Sequence, residues 1–217
     1  MPTRAETVSA IEACGVVAVI RLKEASALRA VVDALALGGV YAMEVTMTVP
    51  GAIGLIGEIA PTLPEEIILG AGTVLDAATA RAVIEAGARY VVSPVYKEDV
   101  LRQTQSLGAA AMPGCFSPTE ILTAWEAGAD IVKVFPATAL GPSYFRDLRG
   151  PLPHLKLMPT GGVSLANAGD WIRAGAAAIG VGTALVDSGA VTAGRFSEIT
   201  ERAKQFVEAV RAARSTR

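Results

Sequence analysis

Four polar side chains interrupt runs that are otherwise apolar and rich in β-formers. Arg21 closes VVAVIR (16–21), Glu44 sits inside AMEVT (42–46), Lys133 sits inside DIVKVFP (130–136), and Thr73 follows LGAG (69–72). Lys133 is the sharpest of these, one of five lysines in the chain and flanked by Ile131, Val132, Val134 and Phe135. Desolvation disfavours an ammonium ion, so a lysine held among such neighbours keeps a usable fraction of neutral amine. A neutral amine attacks a ketone and forms a Schiff base. From position alone a second reading has equal weight, with the stem packed along the strand and the head in water. Glu44 tips the balance, because a carboxylate in the same interior would move protons around the amine and its ketone. A buried Lys–Glu pair with no task is less attractive, since apolar replacements of such pairs are often neutral or stabilising.

The remaining composition excludes several other chemistries. His154 is the one histidine and Cys14 and Cys115 are the two cysteines, so no His cluster or CxxC pair offers a metal site. A Ser-His-Asp triad would need His154, and no GxSxG motif accompanies it. His154 reads as a loop or surface residue, and Lys156, near the start of its expected strand, reads as structural. A net charge of −2 supplies no basic field for nucleic acid or membrane phosphates. No apolar run approaches the roughly 18 residues of a spanning helix. Glu6 and Glu12 fall where a secretory leader needs an apolar segment. Two cysteines suit a reducing compartment. The expectation is a cytoplasmic protein without metal, cofactor, nucleic-acid or membrane partner.

Several elements must position these side chains. Short apolar runs at 16–21, 41–46, 67–70, 90–93, 109–112, 131–135, 155–158 and 178–181 read as strands, separated by the length of a strand plus crossover helix. Helical spacing covers 24–37 before Gly38-Gly39, and Asp76 caps a helix ending at Gly87. Ser117-Pro118 with Glu120 marks another helix start, running to Gly128. Helices at 3–13 and 196–214 complete the pattern. LALGGVYAMEV, IEAGARYVVS, WEAGADIVKV and IRAGAAAIGV repeat one theme of helix end, glycine and buried strand. Strands apolar on both faces belong to parallel sheets covered by helices. With no linker to divide the chain, the expectation is a single domain over 1–217, a (β/α)8 TIM barrel with an N-terminal and a C-terminal helix. Active sites of such barrels lie at the C-terminal strand ends, so polar residues inside or just after the strands are the candidates. PTGGVS (159–164) and GVGTAL (180–185) follow the last two expected strands, where backbone amides of barrels often hold phosphate.

These motifs together resemble the 2-keto-3-deoxy-6-phosphogluconate / 4-hydroxy-2-oxoglutarate aldolase family, class I aldolases that work through a lysine Schiff base. The resemblance spans about 16–186 and rests on the order and spacing of AVIR (18–21), EVTMTVPGA (44–52), GAGTVLD (70–76), VSP (92–94), MPGCFSPTE (112–120), KVFPA (133–137), PTGGV (159–163) and GVGTAL (180–185). It implies that Lys133 forms the iminium with C2 of pyruvate and that Glu44 is the acid/base. It places Thr73 on the pyruvate carboxylate, Thr160 in the same pocket, and Pro94 and Phe135 against the pyruvate moiety. Gly161, Gly162, Gly182 and Thr183 would cradle phosphate, with Arg21 adding positive charge. Some members carry Arg four positions after the glutamate; this chain has Thr48 there, as other members do. The implied substrate is a keto-acid sugar phosphate and the implied assembly a homotrimer.

Overall fold

The computed structural model describes residues 2–216. Strands alternate with helices in the order α1 (Arg4–Cys14), β1 (Val16–Ile20), α2 (Leu28–Leu37), β2 (Ala42–Thr46), α3 (Ala52–Ile59), β3 (Ile68–Gly72), α4 (Ala77–Glu85), β4 (Tyr90–Val92) and α5 (Glu98–Ser106). Then follow β5 (Ala110–Met112), β6 (Gly114–Cys115), α6 (Pro118–Glu126), β7 (Val132–Val134), α7 (Pro142–Arg149), β8 (Leu157–Pro159), α8 (Ala168–Arg173), β9 (Ile179–Val181), α9 (Ser188–Thr192) and α10 (Phe196–Ser215). The expected caps are in place. Asp76 accepts from the Thr79 amide, and Ser117 and Glu120 form a reciprocal capping box. Thr3 and Glu6 form a second box at the start of α1. The expected helix over 24–37 is shorter, because Ala25–Ala27 is a 3₁₀ turn and the α-helix starts at Leu28.

All strand pairs are parallel, in one sheet ordered β5-β4-β3-β2-β1-β9 and a second ordered β6-β7-β8. The sequence leads one to expect a fifth strand over 109–112 ending before Pro113; beyond Pro113 the structure adds a short strand, Gly114–Cys115, that the sequence reading does not include. Proline has no N–H to give a ladder, so β5 pairs with β4 on one side of it and β6 pairs with β7 on the other. The Pro113 carbonyl still accepts from the Lys133 amide at 2.9 Å. An isolated parallel bridge links Thr160 to Gly180, beyond the end of β8 and within β9.

Alternation along the strands separates two apolar clusters. Helices pack on one face, where Met43, Val45, Val132, Val134 and Trp171 are buried. The other face collects Val17, Ala42, Ile68, Tyr90, Met112 and Met158, closed from below by Val8 and Ile11 of α1. Lys156 joins that lower end as expected of a structural residue, its Nζ 2.9 Å from Glu12 of α1. His154 is exposed, its ring 6.0 Å from that of Trp125. Helix α10 lies on α2 and α8, and Thr200 donates to the Ala34 carbonyl at 2.9 Å.

The split strand depends on Gly114. A Cβ there would fall 2.3 Å from the Pro94 carbonyl carbon and oxygen, both backbone atoms that cannot rotate away. Gly114→Ala is expected to cost about 1–3 kcal/mol through overpacking, read as a fall in the urea midpoint without a change in m-value.

Candidate active site

Lys133 lies between Val132 and Val134, which both face the helices, so strand alternation turns its side chain to the inner face. Glu44 is placed inward in the same way by Met43 and Val45. The two side chains are 4% and 1% exposed, and Lys133 Nζ stands 3.9 Å from Glu44 Oε1. Neither carboxylate oxygen has a hydrogen-bond partner. Burial pushes the Glu44 carboxyl above the ordinary glutamate range, while the Lys133 ammonium and the Arg21 guanidinium pull it back. Gly72 makes room for this carboxylate, because a Cβ there would fall 2.6 Å from Glu44 Oε1.

Phe135 connects this pair to a second feature. Its ring centroid is 5.3 Å from Lys133 Nζ. The same ring lines a cavity of about 120 Å³ with Arg21, Thr160, Gly161, Gly162, Val163, Gly182, Thr183 and Ala184. Gly161 and Gly162 have φ of 89° and 73°, left-handed values that favour glycine. An added Cβ at Gly162 would fall 2.7 Å from Thr138 Oγ1, and one at Gly182 would fall 3.0 Å from an Arg21 guanidinium nitrogen. Backbone amides and a guanidinium around a small cavity suit an anion such as phosphate.

The structure thus brings together Lys133, Glu44 and Phe135, and beside them Arg21, Thr160, Gly161, Gly162, Gly182 and Thr183. Thr73 and Pro94 follow the ends of β3 and β4, on the same rim. Thr73 has φ 61°, a strained value for a β-branched residue and of the kind retained where a site needs the geometry. Thr48 is exposed and its hydroxyl lies 2.6 Å from that of Thr46. Thr46 escaped the reading of the sequence, although it stands two residues beyond Glu44 and so shares its face. It is buried and donates to the Ile20 carbonyl at 3.1 Å. Tyr90 escaped it too, read as an ordinary strand residue. Among the described residues no group of three His, Cys, Asp or Glu side chains is placed to hold a metal ion. No described helix is long and apolar enough to cross a membrane.

A family model described as "KDPG and KHG aldolase" matches residues 8–202. The chain belongs to this family. A 2-dehydro-3-deoxy-6-phosphogalactonate aldolase of Escherichia coli K12 is 34% identical over 185 residues, covering 85% of this chain and 86% of that protein. A 2-dehydro-3-deoxy-phosphogluconate aldolase of Pseudomonas aeruginosa is 33% identical, covering 81% and 80%. Among solved structures, KDPG aldolase from Legionella pneumophila, with pyruvate captured at low pH as a covalent carbinolamine, is 30% identical with a TM-score of 0.85 over 91% of this chain and 96% of that one.

The pairing has a measurable consequence for stability. Glu44→Leu leaves a buried ammonium without its counter-charge and is expected to lower stability by about 3–5 kcal/mol. Adding Lys133→Met is expected to recover most of that loss, as a double-mutant cycle by chemical denaturation would show.

Proposed function

We propose that this chain is a class I aldolase that cleaves 2-keto-3-deoxy-6-phosphogluconate to pyruvate and glyceraldehyde 3-phosphate through a Schiff base on Lys133. The observation that carries the reading is the buried amine 3.9 Å from a carboxylate with no other partner. The neutral amine adds to the C2 ketone, and Glu44, acting through a water, moves protons on the carbinolamine until water leaves and the iminium forms. Deprotonation of the C4 hydroxyl then breaks the C3–C4 bond. Its electron pair enters the iminium to give a neutral enamine, and the aldehyde departs. Protonation of the enamine at C3 and hydrolysis of the imine return pyruvate and the free amine. The iminium is itself the electron sink, so the proposed reaction calls for no cofactor.

In this reading Thr73 and Thr160 hold the pyruvate end, with Pro94 and Phe135 against its carbon skeleton. Gly161, Gly162, Gly182, Thr183 and Arg21 hold the phosphate in the adjoining cavity. Thr48 lines the rim where some relatives carry arginine, which leaves Arg21 as the nearby cation for the substrate. Cleavage of 4-hydroxy-2-oxoglutarate to pyruvate and glyoxylate uses the same steps. The phosphogalactonate epimer is the alternative substrate, favoured by the similarity to the Escherichia coli protein. A phosphate-binding isomerase or synthase, or a non-catalytic sugar-phosphate sensor, would use the glycine turns but gives the Lys133–Glu44 pair no task.

The same proposal includes the architecture that serves the chemistry. We read the two sheets as one (β/α)8 barrel in a single domain, supported by the two halves of the strand broken at Pro113 and by the Thr160–Gly180 bridge. We infer a homotrimer in the cytoplasm, a reading supported by the family resemblance and by the free Cys14 and Cys115.

Borohydride reduction in the presence of pyruvate is expected to add a pyruvate-derived mass to the peptide containing Lys133. Lys133→Ala is expected to lose both that adduct and pyruvate release in a coupled assay; trapping elsewhere, or turnover by the variant, overturns the reading. Glu44→Gln should lower kcat by about a hundredfold or more while changing pyruvate affinity little. Because burial raises the Glu44 carboxyl, the acid limb of the wild-type kcat profile should lie above the ordinary glutamate range. Activity falls as pH drops through that limb, since protonation removes the base. A panel of the gluconate and galactonate phosphates and hydroxy-oxoglutarate decides the substrate.

A further inference from the structure

Arg21 lines two cavities. The smaller is the glycine-lined one of about 120 Å³ beside Phe135, which the guanidinium reaches over Gly182. The second, of about 470 Å³, is bounded by the connection between β1 and α2 and by α9 with the start of α10. The proposed reaction gives this second space no task, although its volume is that of cavities holding small organic ligands. Its lining sorts into three chemistries. Arg21 and Lys23 supply positive charge, Glu24 supplies a carboxylate, and Ala27, Ala30 and Phe196 form an apolar wall. Neighbouring cations are engaged elsewhere: Arg29 lies 2.9 Å from Asp33, and Arg195 lies 2.6 Å from Glu198. No described residue is ion-paired with Arg21 or Lys23, and both are exposed. Two free cations alone would suit any anion. The carboxylate and the aromatic wall narrow the choice, because a nucleotide needs cations for its phosphate, an acid for its ribose hydroxyls and an apolar surface for its flat base.

We propose that the larger cavity binds a nucleotide, with its phosphate on Lys23 and Arg21, and that this phosphate competes for Arg21 with the anion in the glycine-lined cavity. Lys23 and Glu24 line only the larger cavity, and Gly161, Gly162 and Thr183 only the smaller; Arg21 belongs to both. One guanidinium cannot serve two phosphates at full strength, so each anion weakens the other, by the same factor in both directions. Nucleotide binding stands on the cavity alone. Its effect on turnover rests on the aldolase reading, in which the phosphate of the substrate occupies the smaller cavity.

Titration calorimetry of the full chain with ADP tests the site. One ADP is expected to bind per chain, more tightly than adenosine or inorganic phosphate. Lys23→Ala should weaken ADP about tenfold or more, and Ala30→Trp, which fills the cavity from α2, should abolish binding. In the coupled assay, saturating ADP should raise KM for the phosphorylated substrate about fivefold or more while leaving kcat unchanged. Lys23→Ala should lose most of that rise and keep the wild-type KM when ADP is absent. No binding at millimolar ADP, equal binding by wild type and Lys23→Ala, or inorganic phosphate binding as tightly as ADP overturns the proposal. ADP that binds in the cavity of an active enzyme without moving KM overturns the sharing of Arg21. ADP binding that Lys23→Ala weakens, in a protein that releases no pyruvate, supports the nucleotide site and overturns the aldolase reading alone.

Discussion

Two opposite charges share an interior that offers them almost nothing else. Lys133 and Glu44 lie on an inner face whose other buried members are chiefly apolar, and the carboxylate oxygens have no hydrogen-bond donor within reach. Ionic groups removed from water are costly unless they are paired and hydrogen-bonded, and this pair at 3.9 Å is only half satisfied. Such an arrangement contributes little to folding. In the proposed reaction its missing partners are the 2-oxo acid and its water.

The surrounding sheet is built to keep the pair in that state. Valines on both sides of Lys133, and Met43 and Val45 beside Glu44, are anchored under the helices, so neither side chain can turn out without exposing two apolar neighbours. Gly72 lets the carboxylate lie flat against β3 where any Cβ would displace it. Helix α1 closes the opposite end with Val8 and Ile11. Two lysines at β7 and β8, Lys133 within the one and Lys156 just before the other, show how position along the sheet divides labour. Lys156, just ahead of β8, forms an ion pair at 2.9 Å with Glu12 while remaining 42% exposed in its side chain, whereas Lys133 is sealed. The one is held by solvent-screened electrostatics of the kind that contributes little; the other is held by the fold itself.

The buried pair and the glycine-lined cavity meet at Phe135. Its ring lies 5.3 Å from the Lys133 amine and also lines the glycine-rich cavity. In the proposed reaction a substrate with a ketone at one end and a phosphate at the other spans this residue. The strained Thr73 and the left-handed Gly161 and Gly162 border the same end of the sheet, which is where backbone conformations that cost energy collect.

Much of this was legible in residue order. Alternating apolar runs and capped helices dictated a parallel α/β fold, and Asp76 and Ser117 marked helix starts from their own chemistry. A lysine and a glutamate inside apolar strands marked the site, because period-two alternation assigns a face to each residue whatever the partner strand. Local pattern could not supply what depends on neighbours distant in sequence. The break at Pro113 matters only because β4 and β7 pair with the two halves of one strand. Thr46 and Tyr90 passed as ordinary strand residues until the structure placed Thr46 on the Ile20 carbonyl and laid the Tyr90 ring over Gly70. Residue types and their period determine which faces are apolar and which side chains are out of place. Only the register between strands, set by tertiary packing, decides that two such side chains 89 positions apart stand within 3.9 Å of each other.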